Sequence, residues 1–173
     1  MSETVERAKV MSRFLQRAML TLGIIVAAIS LWAAGFAVVD PTFLPMALKA
    51  KFGALAPFSV TRIQVLIFVV FIMLQTLPLL LALVSLNRAF AEISRTGGVN
   101  QITALHVRSA GIRFAFTALI LILATPLLSL TASIGALPGH RFLSVGFETQ
   151  HLLAILLSAV LIMLGHVLAL AAE

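Results

Sequence analysis

"IQVLIFVVFIMLQTLPLLLALVSL", Ile63 to Leu86, runs for 24 residues without an Asp, Glu, Lys or Arg. At 1.5 Å per residue a helix of this stretch is about 36 Å long, enough to cross ~30 Å of hydrocarbon. Three further runs read the same way: 18–39, "AMLTLGIIVAAISLWAAGFAVV", 112–135 and 151–172. The only charge in any of them is Arg113, at the lip of the third. Four such runs in one chain predict an all-α fold, an integral membrane four-helix bundle forming a single domain over residues 1–173.

Composition agrees. The chain is 61% hydrophobic and 10% charged, against roughly 45–50% and 25% in soluble domains. A water-soluble fold of 173 residues has no means of covering so much apolar surface. The first run is too long for the 7–15-residue core of a secretory signal and lacks a cleavage site, so it reads as a retained span. With no cysteine in the chain, disulfide and thiolate chemistry are excluded.

The net charge is +6, but the basic residues cluster beside apolar runs, which suits lipid headgroups and topology rather than nucleic acid. Arg7, Lys9, Arg13 and Arg17 precede span one, and Arg88, Arg95, Arg108 and Arg113 lie between spans two and three. The opposite side holds Lys49, Lys51, Arg62 and Arg141. Eight against four predicts cytoplasmic N and C termini. Trp32 and Phe36 then fall near the outer interface.

The polar stretch 87–111 is expected to be a cytoplasmic amphipathic helical hairpin. Leu86, Phe90 and Ile93 share one face of a continuing helix, and Arg88, Glu92 and Arg95 another, with Arg88 and Glu92 spaced to pair. Gly97 and Gly98 supply the turn. Ile102 and Leu105 give the returning segment its apolar face. On the other side, 41–52 is expected to form an interfacial helix, capped by Asp40, opened by Pro41 and stopped by Gly53. Its inner face is Phe43, Leu44, Ala47 and Leu48, with Lys49 and Lys51 toward headgroups.

Small residues recur along span one (Gly23, Ala27, Ser30, Ala34, Ala37) and span four (Ala154, Ser158, Gly165, Ala169, Ala172). Such stripes let helices approach closely in lipid. They serve intramolecular packing first and leave a homo-oligomer open. Pro78 and Pro126 interrupt spans two and three. Thr76 and Thr125 stand upstream to satisfy freed carbonyls, and Gln75, Thr76, Pro78, Thr125, Pro126 and His166 are the residues expected at a pocket or kink.

The spans carry no carboxylate, which argues against a pump or cation-coupled carrier. No phosphate loop, HExxH or GxSxG motif is present. His106 and His166 toward one face, and His140 and His151 toward the other, are the pattern a two-haem b-type cytochrome would use. Against it, His106 and His140 fall in connections, and His166 reads as hydrogen-bonded to a neighbour near a helix end.

"LNRAFAEISRTGGVNQITALHVRSAGIRFAFTALILIL" and "FLSVGFETQHLLAILLSAVLIMLGHVLALAAE" together resemble the bacterial membrane family known as domain of unknown function 2975. Phe90, Gly97, Gly98, Arg108 and Gly111 stand where that family's pattern puts them. The turn "TGG" departs from its usual acidic, Asn-rich sequence, and family members typically continue past the position of Glu173 into a charged tail. The resemblance implies four spans and no reaction.

The reading is therefore a multi-pass bacterial inner-membrane protein, regulatory or accessory, without catalytic chemistry or a cofactor. Its expected contacts are membrane lipids and a protein partner, both through Arg88, Arg95, Arg108 and Arg113. A carrier or channel for a small uncharged or amphipathic solute is the alternative, and a b-type cytochrome the third reading.

Overall fold

The computed structural model describes residues 3–40, 42–53, 60–134 and 141–172. Among them every regular element is a helix: α1 (Glu3–Val39), α2 (Phe43–Phe52), α3 (Arg62–Thr96), α4 (Gln101–Ala132) and α5 (Thr149–Ala171). α1, α3, α4 and α5 are long and apolar enough to span a membrane. The chain has the four-span, all-α architecture of a multi-pass membrane protein.

The distribution of side-chain size fits a hydrocarbon solvent. Large apolar groups point outward, with Leu31 65%, Leu66 63% and Met163 70% exposed. The interior is small: Ala34, Ala37, Ala82, Ala89, Ser85, Thr117, Ser129 and Ser158 are all buried. Lipid tails are as apolar as leucine, so burying a large apolar side chain gains nothing there. Close backbone approach through small residues gains dispersion contacts instead.

α1 packs against α3, α3 against α4, and α4 against α5, while α1 and α5 share no comparable interface. The central helix α4 is buried on two sides. Its buried positions include Thr103 and Ala104, Ala110 and Gly111, Thr117 and Ala118, Ala124 and Thr125, and then Ala132. That is a seven-residue repeat of small side chains, the period at which a helix keeps one seam against its neighbours. The stripe on α1 also packs internally. Ala34 and Ala37 are buried, Thr76 on α3 donates to Ser30 Oγ at 2.9 Å, and Gly23 faces Leu83. Along the α5 stripe Ser158 and Gly165 are buried, whereas Ala172 is exposed.

Three helices outrun the predicted spans. α1 begins at Glu3 rather than near residue 18, with Glu3 and Glu6 in its first turn, where carboxylates complement the helix dipole. α3 continues to Thr96 and α4 starts at Gln101. Gly97 ends α3 at φ 77°, a left-handed conformation open to glycine, and its N–H donates to Ile93 O at 2.8 Å. Asn100 caps α4 by accepting Thr103 N–H at 2.8 Å. Glu92 does not pair with Arg88 as its spacing predicted. It takes Arg95 at 2.9 Å and Asn100 Nδ2 at 2.9 Å, because the turn brings a second donor to that side of the helix.

At the opposite end α2 docks Leu44 and Leu48 onto Ala132 and Phe142. The predicted inner face is the one that is used, and Lys49 and Lys51 are exposed. Gly53 terminates the helix at φ 62°. Asp40 is not its cap. Asp40 Oδ1 accepts the hydroxyl (2.7 Å) and N–H (2.8 Å) of Thr42, which hold the carboxyl below its ordinary pKa, and the helix starts only at Phe43. Pro41, expected to open it, lies outside the described residues.

Candidate functional site

The helix contacts fix which residues share a depth. Gly23 faces Leu83 and Gly165 lies on Arg108, and Arg113 reaches Leu81 and Ser85. Extending these antiparallel registers along the helices puts Arg17, Arg88, Arg108 and His166 at about one level. Arg13 stands about one turn farther toward the helix ends, and Arg113 about 7 Å inward. The eight basic residues Arg7, Lys9, Arg13, Arg17, Arg88, Arg95, Arg108 and Arg113 thus gather at one end of the bundle. Lys49, Lys51, Arg62 and Arg141 stand at the other.

The four arginines between α3 and α4 are not equivalent. Arg88, Arg95 and Arg108 are exposed, and Arg95 is tied to Glu92. Arg113 is half-buried and turned onto α3. Its guanidinium donates to Leu81 O at 2.7 Å and to Ser85 Oγ. Ser85 Oγ in turn donates to that same carbonyl at 3.0 Å. Here an arginine that reads as a headgroup contact is engaged in holding two helices together.

Just beyond this level α4 and α5 meet backbone to backbone. A Cβ on Gly111 would stand 2.7 Å from Ile162 N, and one on Gly165 2.8 Å from Arg108 N and Cα. His166, next to Gly165, is exposed; the hydrogen bond to a neighbour expected for it is not among those formed by the described residues.

The residues expected at a pocket do not converge. From the α3–α4 register, Pro78 lies level with about Ala118 and Pro126 with about Val70, so the prolines are offset along the bundle by ~12 Å. Thr76 binds Ser30 across the α1–α3 seam rather than a freed carbonyl. Thr125 Oγ1 is buried without a hydrogen-bond partner among the described residues. Gln75 is half-buried on α3.

Two polar arrangements were not expected. Gln64, buried at the start of α3, accepts Thr61 N–H through Oε1 (2.7 Å). Its Nε2 donates to Thr131 O (2.8 Å) and Ile134 O (3.3 Å) at the end of α4. One side chain thus caps α3 and ties it to the last turn of α4.

The second arrangement is a ladder. By the α4–α5 register, α5 starts level with about Ala124, two turns short of the end of α4. Residues 141–148, which form no regular element, lie along that stretch. Ser133 Oγ accepts Phe142 N–H at 3.2 Å and lies 3.0 Å from Phe142 O. Ser129 Oγ accepts Ser144 N–H at 3.0 Å. Gly146 follows, against Thr125. Four helical residues rise ~6 Å and two extended residues ~6.6 Å, so every fourth residue of α4 meets every second residue of the strand-like segment. The outward residues Leu143, Val145 and Phe147 are 59%, 78% and 60% exposed.

By the α4–α5 register His106 and His166 lie toward the basic end of the bundle, and His151, at the start of α5, toward the other. His151 is 1% exposed, and its Nδ1 accepts Glu148 N–H at 2.9 Å. His140, its expected counterpart, lies outside the described residues. No three His, Asp or Glu side chains among the described residues form a group that could hold a metal ion. The chain matches no family model, no curated protein and no solved structure.

Proposed function

We propose that this is a protein of the bacterial inner membrane, with both termini cytoplasmic, that acts as a regulatory or accessory subunit by docking a partner rather than by catalysis. The observation that carries this reading is the basic end of the bundle, where Arg88, Arg95 and Arg108 are exposed on a helical hairpin closed by Gly97 and Asn100. The eight-to-four distribution of basic residues supports a cytoplasmic position for that end. In this reading Arg88 and Arg108, with the Glu92-paired Arg95 beside them, meet an acidic protein surface, while Arg113 keeps α4 fixed to α3.

Orientation and docking are tested separately. The chain has no native cysteine, so single cysteines report without background. Val99→Cys should react with an impermeant maleimide only from the cytoplasm, and Ala50→Cys only from outside. The reverse pattern ends the topological reading. For docking, the triple variant Arg88→Gln, Arg95→Gln, Arg108→Gln should insert normally yet lose a stoichiometric protein that co-purifies with the parent. Full recovery of that protein with the triple variant would leave the arginines with a topological role alone.

A further inference from the structure

Between α1 and α3, two clefts are stacked along the helix axis. The one nearer the helix ends, about 540 Å³, is lined by Arg13, Gln16, Arg17, Leu20, Thr21 and Ser94. The one below it, about 300 Å³, is bounded by Leu20, Gly23, Ile24, Ala27, Leu83 and Asn87 among others. Leu20 belongs to both. The upper cleft holds two cations and three hydrogen-bonding side chains, whereas in the lower one Asn87 is the only polar residue.

We infer that these two clefts are one binding groove for an anionic phospholipid of the surrounding leaflet. Its phosphate lies between Arg13 and Arg17, and one acyl chain lies over Gly23 and Ala27.

Four observations carry this. First, Arg13 and Arg17 are exposed and neither takes part in an ion pair formed by the described residues. Arg7 and Arg95, by contrast, are both neutralised by a glutamate within one turn. Second, the order of chemistry down the groove is that of a lipid: cations and hydroxyls, then an amide, then hydrocarbon. Asn87 Oδ1 is buried and without a partner among the described residues. The ester carbonyls of a glycerol backbone at this depth accept from the Asn87 Nδ2 amide, while Oδ1 is open to a hydroxyl of the lipid headgroup. Third, Arg13 to Ala27 spans fourteen residues of helix, or about 21 Å, which is half the thickness of a bilayer including its headgroups. Fourth, the groove exists because the α1 seam is small here. Gly23 leaves Leu83 Cδ1 4.0 Å from where a Cβ would be, and Ala27 is only half-buried, while Ala34 and Ala37 farther along the same stripe are closed over. Membrane depth also explains why an apolar cleft stays open, since acyl chains fill it.

The selectivity follows from charge. Both arginines are fully available to a phosphate that carries net negative charge, such as that of phosphatidylglycerol. A zwitterionic headgroup brings its own ammonium to the same place and gains less. The inference does not depend on which side of the membrane the basic end faces, nor on the docking of a protein partner.

The test uses the full chain in detergent micelles, titrated with phosphatidylglycerol or phosphatidylcholine and read by native mass spectrometry. The parent should retain one phosphatidylglycerol in preference to phosphatidylcholine. Arg13→Gln with Arg17→Gln should weaken retention about thirtyfold, at on the order of a factor of five per cation. Leu20→Trp, which fills the junction at a residue already 54% exposed, should abolish retention without altering thermal stability. Arg108→Gln, at the same depth but on α4, should leave it unchanged. Equal loss in the Arg13/Arg17 double variant and in Arg108→Gln, with Leu20→Trp silent, would mean diffuse surface charge and would overturn the proposal. Displacement of the lipid by millimolar inorganic phosphate, with Leu20→Trp silent, would reduce the site to a free anion site and overturn it equally.

Discussion

Gly165 of α5 rests directly on Arg108 of α4: a Cβ at Gly165 would lie 2.7 Å from Arg108 Cβ and 2.8 Å from its N and Cα. Backbone is on the receiving side, so no flexible side chain can move away to relieve a methyl group. Gly111 makes the reciprocal contact on Ile162 N, and the two glycines together set how closely α4 and α5 approach.

Gly165→Ala should therefore destabilise the protein by about 1–3 kcal/mol, the usual cost of overpacking a fitted interface. This holds although alanine is the better helix former by roughly 0.5–1 kcal/mol. Thermal unfolding in detergent reads the sign directly. The control is Gly35→Ala on α1, where a Cβ meets nothing within 4 Å and the intrinsic gain should show. Equal stabilisation of both variants would mean that the helices do not touch at Gly165.

Arg113 should behave as an internal tie. Arg113→Gln removes a charged donor from Leu81 O, and a hydrogen bond to a charged group contributes about 1.5–3 kcal/mol. Arg108→Gln, at an exposed position, should cost less than about 0.5 kcal/mol. Chemical denaturation of the two variants separates these roles. Indistinguishable midpoints would return Arg113 to the surface set in which its sequence position places it.

These two glycines and this arginine show what could be read before the fold was known. Span number and the small stripes on α1 and α5 were legible, because hydrocarbon imposes length and because only small residues allow close packing in it. The seven-residue repeat on α4 was equally present in the sequence. It was hidden because large residues such as Ile112, Leu119 and Leu127 surround every small pair, and a helix packed on two sides loses the single apolar face by which amphipathic helices are recognised. The role of Arg113 as a tie is not legible in the sequence, because a basic residue at the lip of a span obeys a topological rule whatever it touches. Its turn onto Leu81 O depends on the α3–α4 register, which no local pattern encodes. The full length of α1 was missed because charged positions such as Arg7 and Arg13 alternate with the half-buried Val5, Lys9 and Gln16, so hydropathy falls while the packed face continues.

Gln64 separates capping from bulk. Its Nε2 donates to Thr131 O and Ile134 O, and its Oε1 accepts from Thr61. Gln64→Glu keeps the acceptor and the shape but loses both donors, and it places a carboxylate against two carbonyl oxygens. Gln64→Met keeps the volume and loses both functions. Both variants should be destabilised, Gln64→Glu by the larger amount near neutral pH, with the gap narrowing as the pH falls and the introduced carboxyl protonates. A pH-independent gap in melting temperature would show that the side chain packs there without these hydrogen bonds.

The last expectation concerns the ladder on α4. Ser129 and Ser133 are the hydroxyls that receive Ser144 N–H and Phe142 N–H, and Leu143, Val145 and Phe147 face away from the bundle. A segment with apolar residues outward, lying beside α4, has no water to satisfy its backbone if it sits at membrane depth, and each unmet group costs several kcal/mol there. The serines solve this by spacing, since their four-residue interval on the helix matches the two-residue interval of the extended chain. Ser129→Ala with Ser133→Ala should strand two N–H groups and release 141–147 from α4, at about 1–3 kcal/mol for each. Each single variant should produce roughly half the effect, because each serine serves a different amide. Hydrogen exchange followed by mass spectrometry on the peptide containing Phe142 and Ser144 should speed up in the double variant, with α3 peptides unchanged. Thr125→Val, which keeps the methyl that faces Gly146, should leave exchange in that peptide as it is, because Thr125 Oγ1 makes no hydrogen bond among the described residues. Unchanged exchange in the double variant would mean that the extended segment is held by Phe142 and the α2 leucines alone, and that the match of intervals between helix and strand has no energetic consequence.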